Sequence, residues 1–352
     1  MRYIHRIYTA DLGRRRENAE MLPLFEDCIA ELPVEDEERT RLRDFVRFQL
    51  VGERSRRSVV EDWKELDSFQ RRAGAFETGA AEALDRLCEE IVADARAAGV
   101  VFDAVITTTA TGNLMPGLSY RAAHRLGDRV RRDTLMFDLA NVGCTGSSKA
   151  LALVRSLAAE VRHVLLLAVE VPSTLADLRS TDPGAWQGNC TFGDGAAALW
   201  ISGDSELGPE ALALEDLRYT QRSDTGLDLI RWAYRDYYTF ALADEKTFDR
   251  DVREFVAETL SEAEADWKDE PRWAIHPAGI LLLMRLSRKL GIPQEAIKPS
   301  VAHYREHSNM SSASVLHVLK QVAAETPPGS AINLLTMGAG FNVVYGRVRR
   351  VR

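Results

Sequence analysis

Cys144 lies in Asn141-Val-Gly-Cys-Thr-Gly-Ser-Ser148, between an apolar run, Thr134 to Leu139, and a helix-like run, Lys149 to Val161. This places a thiol on a Gly-rich strand-to-helix turn. The unpaired N–H groups and the dipole at a helix N-terminus favour negative charge, so a thiol with a lowered pKa is expected there. A thiolate is a nucleophile that can hold an acyl group as a thioester. Two further segments each set a polar side chain among small residues: Ala274-Ile-His276-Pro-Ala-Gly279 and Ser308-Asn309-Met-Ser-Ser-Ala313. His276 is suited to stabilise the thiolate as an ion pair. Asn309 offers amide N–H donors that, with a histidine N–H, can hold a developing oxyanion. The set fits acyl transfer onto Cys144, then decarboxylation of a malonyl thioester whose enolate oxygen rests on His276 and Asn309. Loss of CO₂ itself generates the carbanion, so that step needs no general base.

These residues are far apart in the chain, so the fold must bring them together. Residues 1 to about 95 are charge-rich and read as mainly helical, with apolar positions at three- and four-residue spacing in Asp36 to Phe48 and Gly79 to Ala98. Strands then alternate with helices: strand Val101 to Thr107, helix Gly117 to Leu126, strand Thr134 to Leu139, the helix after Cys144, and strands His163 to Val171 and Ala196 to Ile201. The run His163 to Val171 is broken only by Glu170. Apolar runs of this kind belong to a sheet covered on both faces. A polar break spans Gly203 to Thr225. Beyond it come a helix (Asp249 to Glu264), a strand (Arg272 to Ile275), the His276 loop, a helix (Ile280 to Leu290), a Ser-rich turn into a helix (Ser311 to Glu325), and a strand (Ala331 to Thr336). The order repeats that of the first half without residue-level identity. The expected units are 1–205, carrying Cys144, and 206–352, carrying His276 and Asn309, around one shared cavity.

The chain has 352 residues, 45% hydrophobic and 28% charged, with net charge −8; this is a globular composition that speaks against nucleic acid or an anionic membrane as partner. The four cysteines, Cys28, Cys88, Cys144 and Cys190, form no close pair, so neither a disulfide framework nor a structural zinc site is expected. The start, Met1-Arg-Tyr-Ile-His-Arg, lacks the apolar core of a signal peptide, and no apolar run reaches the ~18 residues of a membrane span. A cytoplasmic setting is expected. His303-Tyr-Arg-Glu306-His307 has the H-x-x-E-H spacing of a zinc site, but nothing in the sequence marks a third ligand, so no metal is expected. Gly338-Ala-Gly340 is a weak dinucleotide signal, because no helix follows it.

From about residue 100 to 352 the sequence resembles the type III polyketide synthases, the chalcone and stilbene synthase family with its bacterial relatives. The matching stretches, in the family's order, are Met115-Pro-Gly-Leu-Ser-Tyr120, the Gly143-Cys144 turn, Phe192-Gly-Asp-Gly-Ala-Ala-Ala198, His276-Pro-Ala-Gly279 and Asn309-Met-Ser-Ser-Ala313. The resemblance implies a thiolase-like α/β fold, five layers (αβαβα) built from two similar halves, and a homodimer. It implies Cys144 as nucleophile with His276 and Asn309. Phe192 matches an aromatic gatekeeper, Phe240 matches the second more loosely, and Met115 matches a residue that reaches into the partner's cavity. Arg43 and Arg47, in the stripe Arg39, Arg43, Arg47 followed by Arg54, Arg56 and Arg57, match coenzyme-A-contacting residues. The implied activity is decarboxylative Claisen condensation of malonyl-coenzyme A onto an acyl starter on Cys144, with coenzyme A thioesters as substrates and no separate cofactor. The ketoacyl-ACP synthase III family shares fold and triad, and Gly338-Ala-Gly-Phe341 looks more like it. The alternative is therefore a single condensation or acyl transfer, with an acyl carrier protein as donor. A catalytically silent partner subunit is a third reading, opposed by the intact Cys, His and Asn. Four departures from the family stand out. The N-terminal hundred residues lack its usual opening strand and Gly/Pro pattern, His276-Pro-Ala-Gly279 replaces His-Pro-Gly-Gly, Ser308 stands where it has Gly, and Thr336-Met-Gly-Ala-Gly340 replaces a Gly-Phe-Gly-Pro-Gly loop.

Overall fold

The computed structural model describes residues 1–351 apart from 205–207, 209–210, 223–226, 228, 235–236, 243 and 264–266. The expected boundary at 205/206, parts of the polar break, and the expected helix end at Glu264 fall outside the described residues. In chain order the first part contains β1 (Arg2–Asp11), β2 (Arg14–Glu17), α1 (Asn18–Ala30), α2 (Asp36–Gln49), β3 (Ser55–Ser58), α3 (Phe69–Ala97), β4 (Phe102–Thr109), α4 (Leu118–Leu126), β5 (Val130–Ala140), α5 (Gly146–Ser156), β6 (His163–Glu170), α6 (Pro183–Thr191) and β7 (Gly195–Ser202). There follow β8 (Leu212–Gln221), β9 (Ile230–Tyr234), β10 (Tyr238–Leu242), α7 (Glu245–Ser261), β11 (Trp273–Ile275), α8 (Ile280–Leu290), α9 (Gln294–His307), α10 (Ser314–Glu325), β12 (Ala331–Gly338) and β13 (Asn342–Arg350).

Nine strands form one mixed sheet in the order β11-β12-β13-β8-β1-β7-β6-β4-β5. From β1 outward, β7 and β6 add antiparallel, then β4 and β5 parallel. From β8 outward the senses are the same: β13 and β12 add antiparallel, then β11 parallel. The two arms join only where Arg2 to Ile4 pair with Leu212 to Leu214. Helices α5 and α10 pack between the arms, since one core unites Leu151 and Leu319 with Leu166 and Leu199 of one arm and Ile332 and Leu334 of the other. The outer face of the first arm is covered by α3 and α4, through Leu84, Leu87 and Leu118. That of the second is covered by α7 and α8, through Val256 and Leu283. The layers are therefore helix, strand, helix, strand, helix, as the fold expectation has it. Among the described residues no helix is long and apolar enough to cross a membrane.

Three strands of the nine-stranded sheet depart from the expectation. The opening strand that the sequence appears to lack is β1, the seam of the sheet. Arg2, His5 and Arg6 obscure its alternation, yet each has a place: Arg2 donates to Val161 O at 2.6 Å and His5 meets Ser202 Oγ at 2.7 Å. A bulge between Ile4 and Arg6 lets Ile4 face the central helices while Tyr8 and Ala10 face α3. The polar break contains β8, and β13 follows the strand expected to be last. Both are only partly apolar, and β8 is buried only at its start. In addition α5 stops at Ser156, short of Val161.

Ile4 is 1% exposed at the seam, packed into the central core. Ile4→Ala should cost about 2–5 kcal/mol, the usual cost of an aliphatic deletion in a packed core. Denaturant unfolding of the full chain checks this, and a loss under about 1 kcal/mol would show that the seam is not a packed junction.

Candidate active site

Cys144 sits in a tight turn, Gly143–Thr145, that opens α5. Gly143 has φ +66°, a conformation that favours glycine. The turn is held against the loop after β12. A Cβ on Gly338 would lie 3.1 Å from the Cys144 amide nitrogen, so a side chain there would press on the Cys144 turn. Thr145 Oγ1 donates to Asn342 Oδ1, and Asn342 Nδ2 donates to Ala339 O. The Thr336 to Gly340 segment, in which the family pattern is altered, thus braces the Cys144 turn.

Asn309 follows α9 and is 3% exposed. Its main chain is clamped to the end of α6: Asn309 N–H donates to Thr191 O at 3.0 Å, and Gly193 N–H to Asn309 O at 3.1 Å. A parallel bridge joins Phe192 to Asn309. The side-chain oxygen accepts from the Ser311 amide at 2.8 Å, which fixes the amide and leaves its NH₂ group available to a ligand. The helix-cap and donor readings of Asn309 are therefore compatible. Ser308 and Ser311 have φ +59° and +48°, left-handed values uncommon for residues other than glycine. With ψ −154°, Ser308 adopts a shape normally confined to glycine, which costs of order 1–3 kcal/mol. Its hydroxyl donates to Ser55 O at 3.0 Å.

His276 leaves the end of β11, its amide donating to Leu335 O at 2.8 Å. The side chain is fully buried, and neither ring nitrogen has a hydrogen-bond partner among the described residues. It lines the same cavity as Cys144, Asn309 and Ser311, a space of about 760 Å³. Phe192 and Phe240 also line this cavity, their rings edge-to-face with centroids 5.0 Å apart. Most of the remaining wall is apolar, and Phe48, Val51, Leu227, Tyr234 and Leu281 are exposed at its rim.

Burial pushes the Cys144 thiol up to about 12, while hydrogen bonding from Ser311 and Asn309 draws it back down. This is opposite to the lowered value expected of the helix turn, because desolvation of the closed pocket outweighs the local donors. Burial also pushes His276 down to about 3. No hydrogen bond joins the two, so the resting site is not a preformed ion pair. A proton moved from Sγ to the ring leaves opposite charges in one pocket, which offsets the penalty for both.

Behind the thiol lies Glu170, fully buried at the end of β6, its carboxyl pushed up by burial. It accepts from Ala110 N at 3.0 Å, Thr111 Oγ1 at 2.9 Å, and both the amide and hydroxyl of Ser312. Arg56, also fully buried, donates to Asn189 O at 2.7 Å, Cys190 O at 2.7 Å and Phe192 O at 3.0 Å, capping the end of α6. Glu170 and Ser311 were not singled out as site residues. The lone acid in an apolar strand was the available signal for Glu170, and Ser311 carried none.

Two of the expected residues, Arg43 and Arg47, are placed elsewhere and do not line the cavity. Helix α2 buries Leu42 and Val46, which turns Arg47 towards Glu26 of α1 in an ion pair. Arg54 does line the cavity, but its guanidinium is tied to Gln49 O and Cys190 O. Arg57 pairs with Asp11. Met115 is 97% exposed and outside its own chain's cavity.

Residues 240–342 match the family described as chalcone and stilbene synthases, C-terminal domain. The match covers less than a third of the chain. The match spans Phe240, His276, Asn309 and the Gly338–Gly340 loop. Over the whole chain the fold is similar to two solved structures. One is 1,3,6,8-tetrahydroxynaphthalene synthase from Streptomyces coelicolor A3(2), a bacterial type III polyketide synthase, with TM-score 0.85, 21% identity, and 99% of each chain covered. The other is the C-terminal type III polyketide synthase domain of Steely1, a type I/III hybrid from Dictyostelium, with TM-score 0.84, 17% identity, and 100% of this chain and 99% of that one covered.

Cys28, Cys88 and Cys190 are buried, whereas Cys144 is partly exposed to the cavity. Brief iodoacetamide treatment of the folded protein should therefore add one carbamidomethyl group, at Cys144. Peptide mass mapping reads this; equal labelling of Cys88 or Cys190 would mean that the cavity does not single out this thiol.

Proposed function

We propose that the protein is an acyltransferase of the polyketide synthase type, catalysing decarboxylative Claisen condensation of malonyl-coenzyme A onto an acyl starter held on Cys144. The observation that carries this reading is the convergence of a thiol, an imidazole with both nitrogens unpartnered, and a fixed amide at the polar end of one apolar cavity. Cys144 Sγ attacks the starter thioester as its proton passes to His276; coenzyme A leaves as its thiol, and the starter remains as a thioester. Malonyl-coenzyme A then occupies the same space. Its carboxylate leaves as CO₂, and the electron pair moves into an enolate whose oxygen is held by His276 and Asn309. The enolate carbon attacks the acyl carbonyl, and the Cys144 thiolate leaves.

The apolar rim supports a starter with an apolar tail. Burying Phe48, Val51 and Leu281 against such a tail is worth about 25 cal/mol per Å² of apolar surface removed from water. Phe192 and Phe240 are the gatekeepers in this reading, narrowing the passage to the thiol. The exposure of Met115 supports a second copy of the chain covering that surface, and the unit boundary near 205/206 is retained as part of the proposal. Coenzyme A is the proposed acyl donor and no separate cofactor is invoked.

Asn309→Ala removes an oxyanion donor but no nucleophile. Release of ¹⁴CO₂ from labelled malonyl-coenzyme A should fall by on the order of 10²–10³-fold, while Cys144 still takes up a starter acyl group. Unchanged CO₂ release would reduce Asn309 to a structural cap and remove it from the mechanism.

A further inference from the structure

The H-x-x-E-H spacing at residues 303–307 carries no third ligand in sequence, but the fold supplies one. His303 and His307 lie one turn apart on α9, and α10 brings His317 against them. The rings of His303 and His307 stack with centroids 4.9 Å apart; His317 is 5.5 Å from the first and 5.7 Å from the second. One nitrogen from each ring lies within 4.8 Å of the others. None of the three lines the reaction cavity.

The surroundings match what a metal-bound imidazole requires. Such a ring generally gives its second nitrogen to a carbonyl, a hydroxyl or a carboxylate, which sets the tautomer and aims the first. His317 Nε2 is 2.9 Å from Ala196 O, and His303 Nε2 is 3.2 Å from Ser314 Oγ. Both leave Nδ1 for a ligand. His307 Nδ1 is buried and makes no hydrogen bond, although Asp11 Oδ1 is 3.3 Å away. Asp11 is the charge that a divalent cation needs nearby, and its other oxygen already takes Arg57 at 3.0 Å.

We propose that His303, His307 and His317, with Asp11 beside them, form a site for a divalent transition cation of the zinc class. Imidazole donors select zinc, cobalt, nickel and copper over magnesium or calcium. Tetrahedral binding at about 2.0–2.1 Å requires the three nitrogens to draw together by small rotations of side chains that already face one another. The site joins the last turn of α9 to α10 and to the end of β1. Helices α9 and α10 flank the Ser308–Ala313 segment, which carries Asn309 between the left-handed residues Ser308 and Ser311. The cation therefore acts as a clamp on that segment and takes no part in the bond-making steps.

The test uses the full chain, stripped with a chelator, with Cys144 alkylated so that no cavity thiol competes. Titration with Co²⁺ should show one equivalent bound with the visible bands of a tetrahedral site, and Zn²⁺ should displace it. Zn²⁺ should also raise the melting temperature by several degrees. His307→Asn and His317→Gln should each abolish both effects. His307 is only half-buried at the end of its helix, so His307→Asn provides a readout if His317→Gln fails to fold. Absence of stoichiometric Co²⁺ binding, or binding unchanged in the folded His307→Asn protein, would overturn the site and leave the trio as a neutral hydrogen-bonded knot.

Discussion

One buried carboxyl, Glu170, joins parts of the molecule that the active site needs in register. It receives the loop after β4 through Ala110 and Thr111, and the Asn309 segment through Ser312. The first loop belongs to one arm of the sheet and the second leads into α10 of the other. Hydrogen bonds to a charged acceptor are worth about 1.5–3 kcal/mol each, and removing the acceptor would strand several buried donors at once. Cys144, at the head of α5, lies against this knot, and the negative charge of Glu170 raises its thiol further. The charge that tightens the frame thus works against a resting thiolate.

That conflict shapes the site. A pocket this closed to water penalises both a free thiolate and a free imidazolium. The two penalties are offset when the proton moves from one group to the other, and when a substrate oxygen supplies the partner that His276 lacks. Asn309 is better prepared, since its oxygen is already committed to Ser311 and its donors are fixed in advance. The strain at Ser308 and Ser311 is held by the clamps at Thr191, Gly193 and Ser55.

Much of this was legible from residue types. Cys144, His276 and Asn309 stand among small residues in otherwise ordered stretches, and such settings are conspicuous. The central strands were legible because burial on both faces leaves nearly continuous apolar runs. Three interior strands of the sheet were not. In β1 the bulge at His5 breaks the alternation, β8 is buried only at its start, and in β13 Gly346 and three arginines interrupt the apolar positions. The arginine stripe at 39, 43 and 47 showed a shared helix face but not its direction, which is set by Leu42 and Val46 packing towards α1. Likewise Arg56 reads as surface charge in sequence and is fully buried beneath Phe192. Long-range hydrogen bonds of this kind leave no local pattern.

The central claim is that Cys144 carries a starter while the polar end of the cavity turns malonyl-coenzyme A into an attacking enolate. High-resolution mass spectrometry of products from ¹³C-malonyl-coenzyme A, offered with a panel of short, long and aromatic acyl-coenzyme A starters, tests it directly. The account predicts products that contain one starter plus two-carbon labelled units, best with starters bearing an apolar tail. It also predicts the same starter as a thioester on the Cys144 peptide when malonyl-coenzyme A is withheld. Labelled products formed undiminished by Cys144→Ala, or no extension of any starter despite an acylated Cys144, would contradict it.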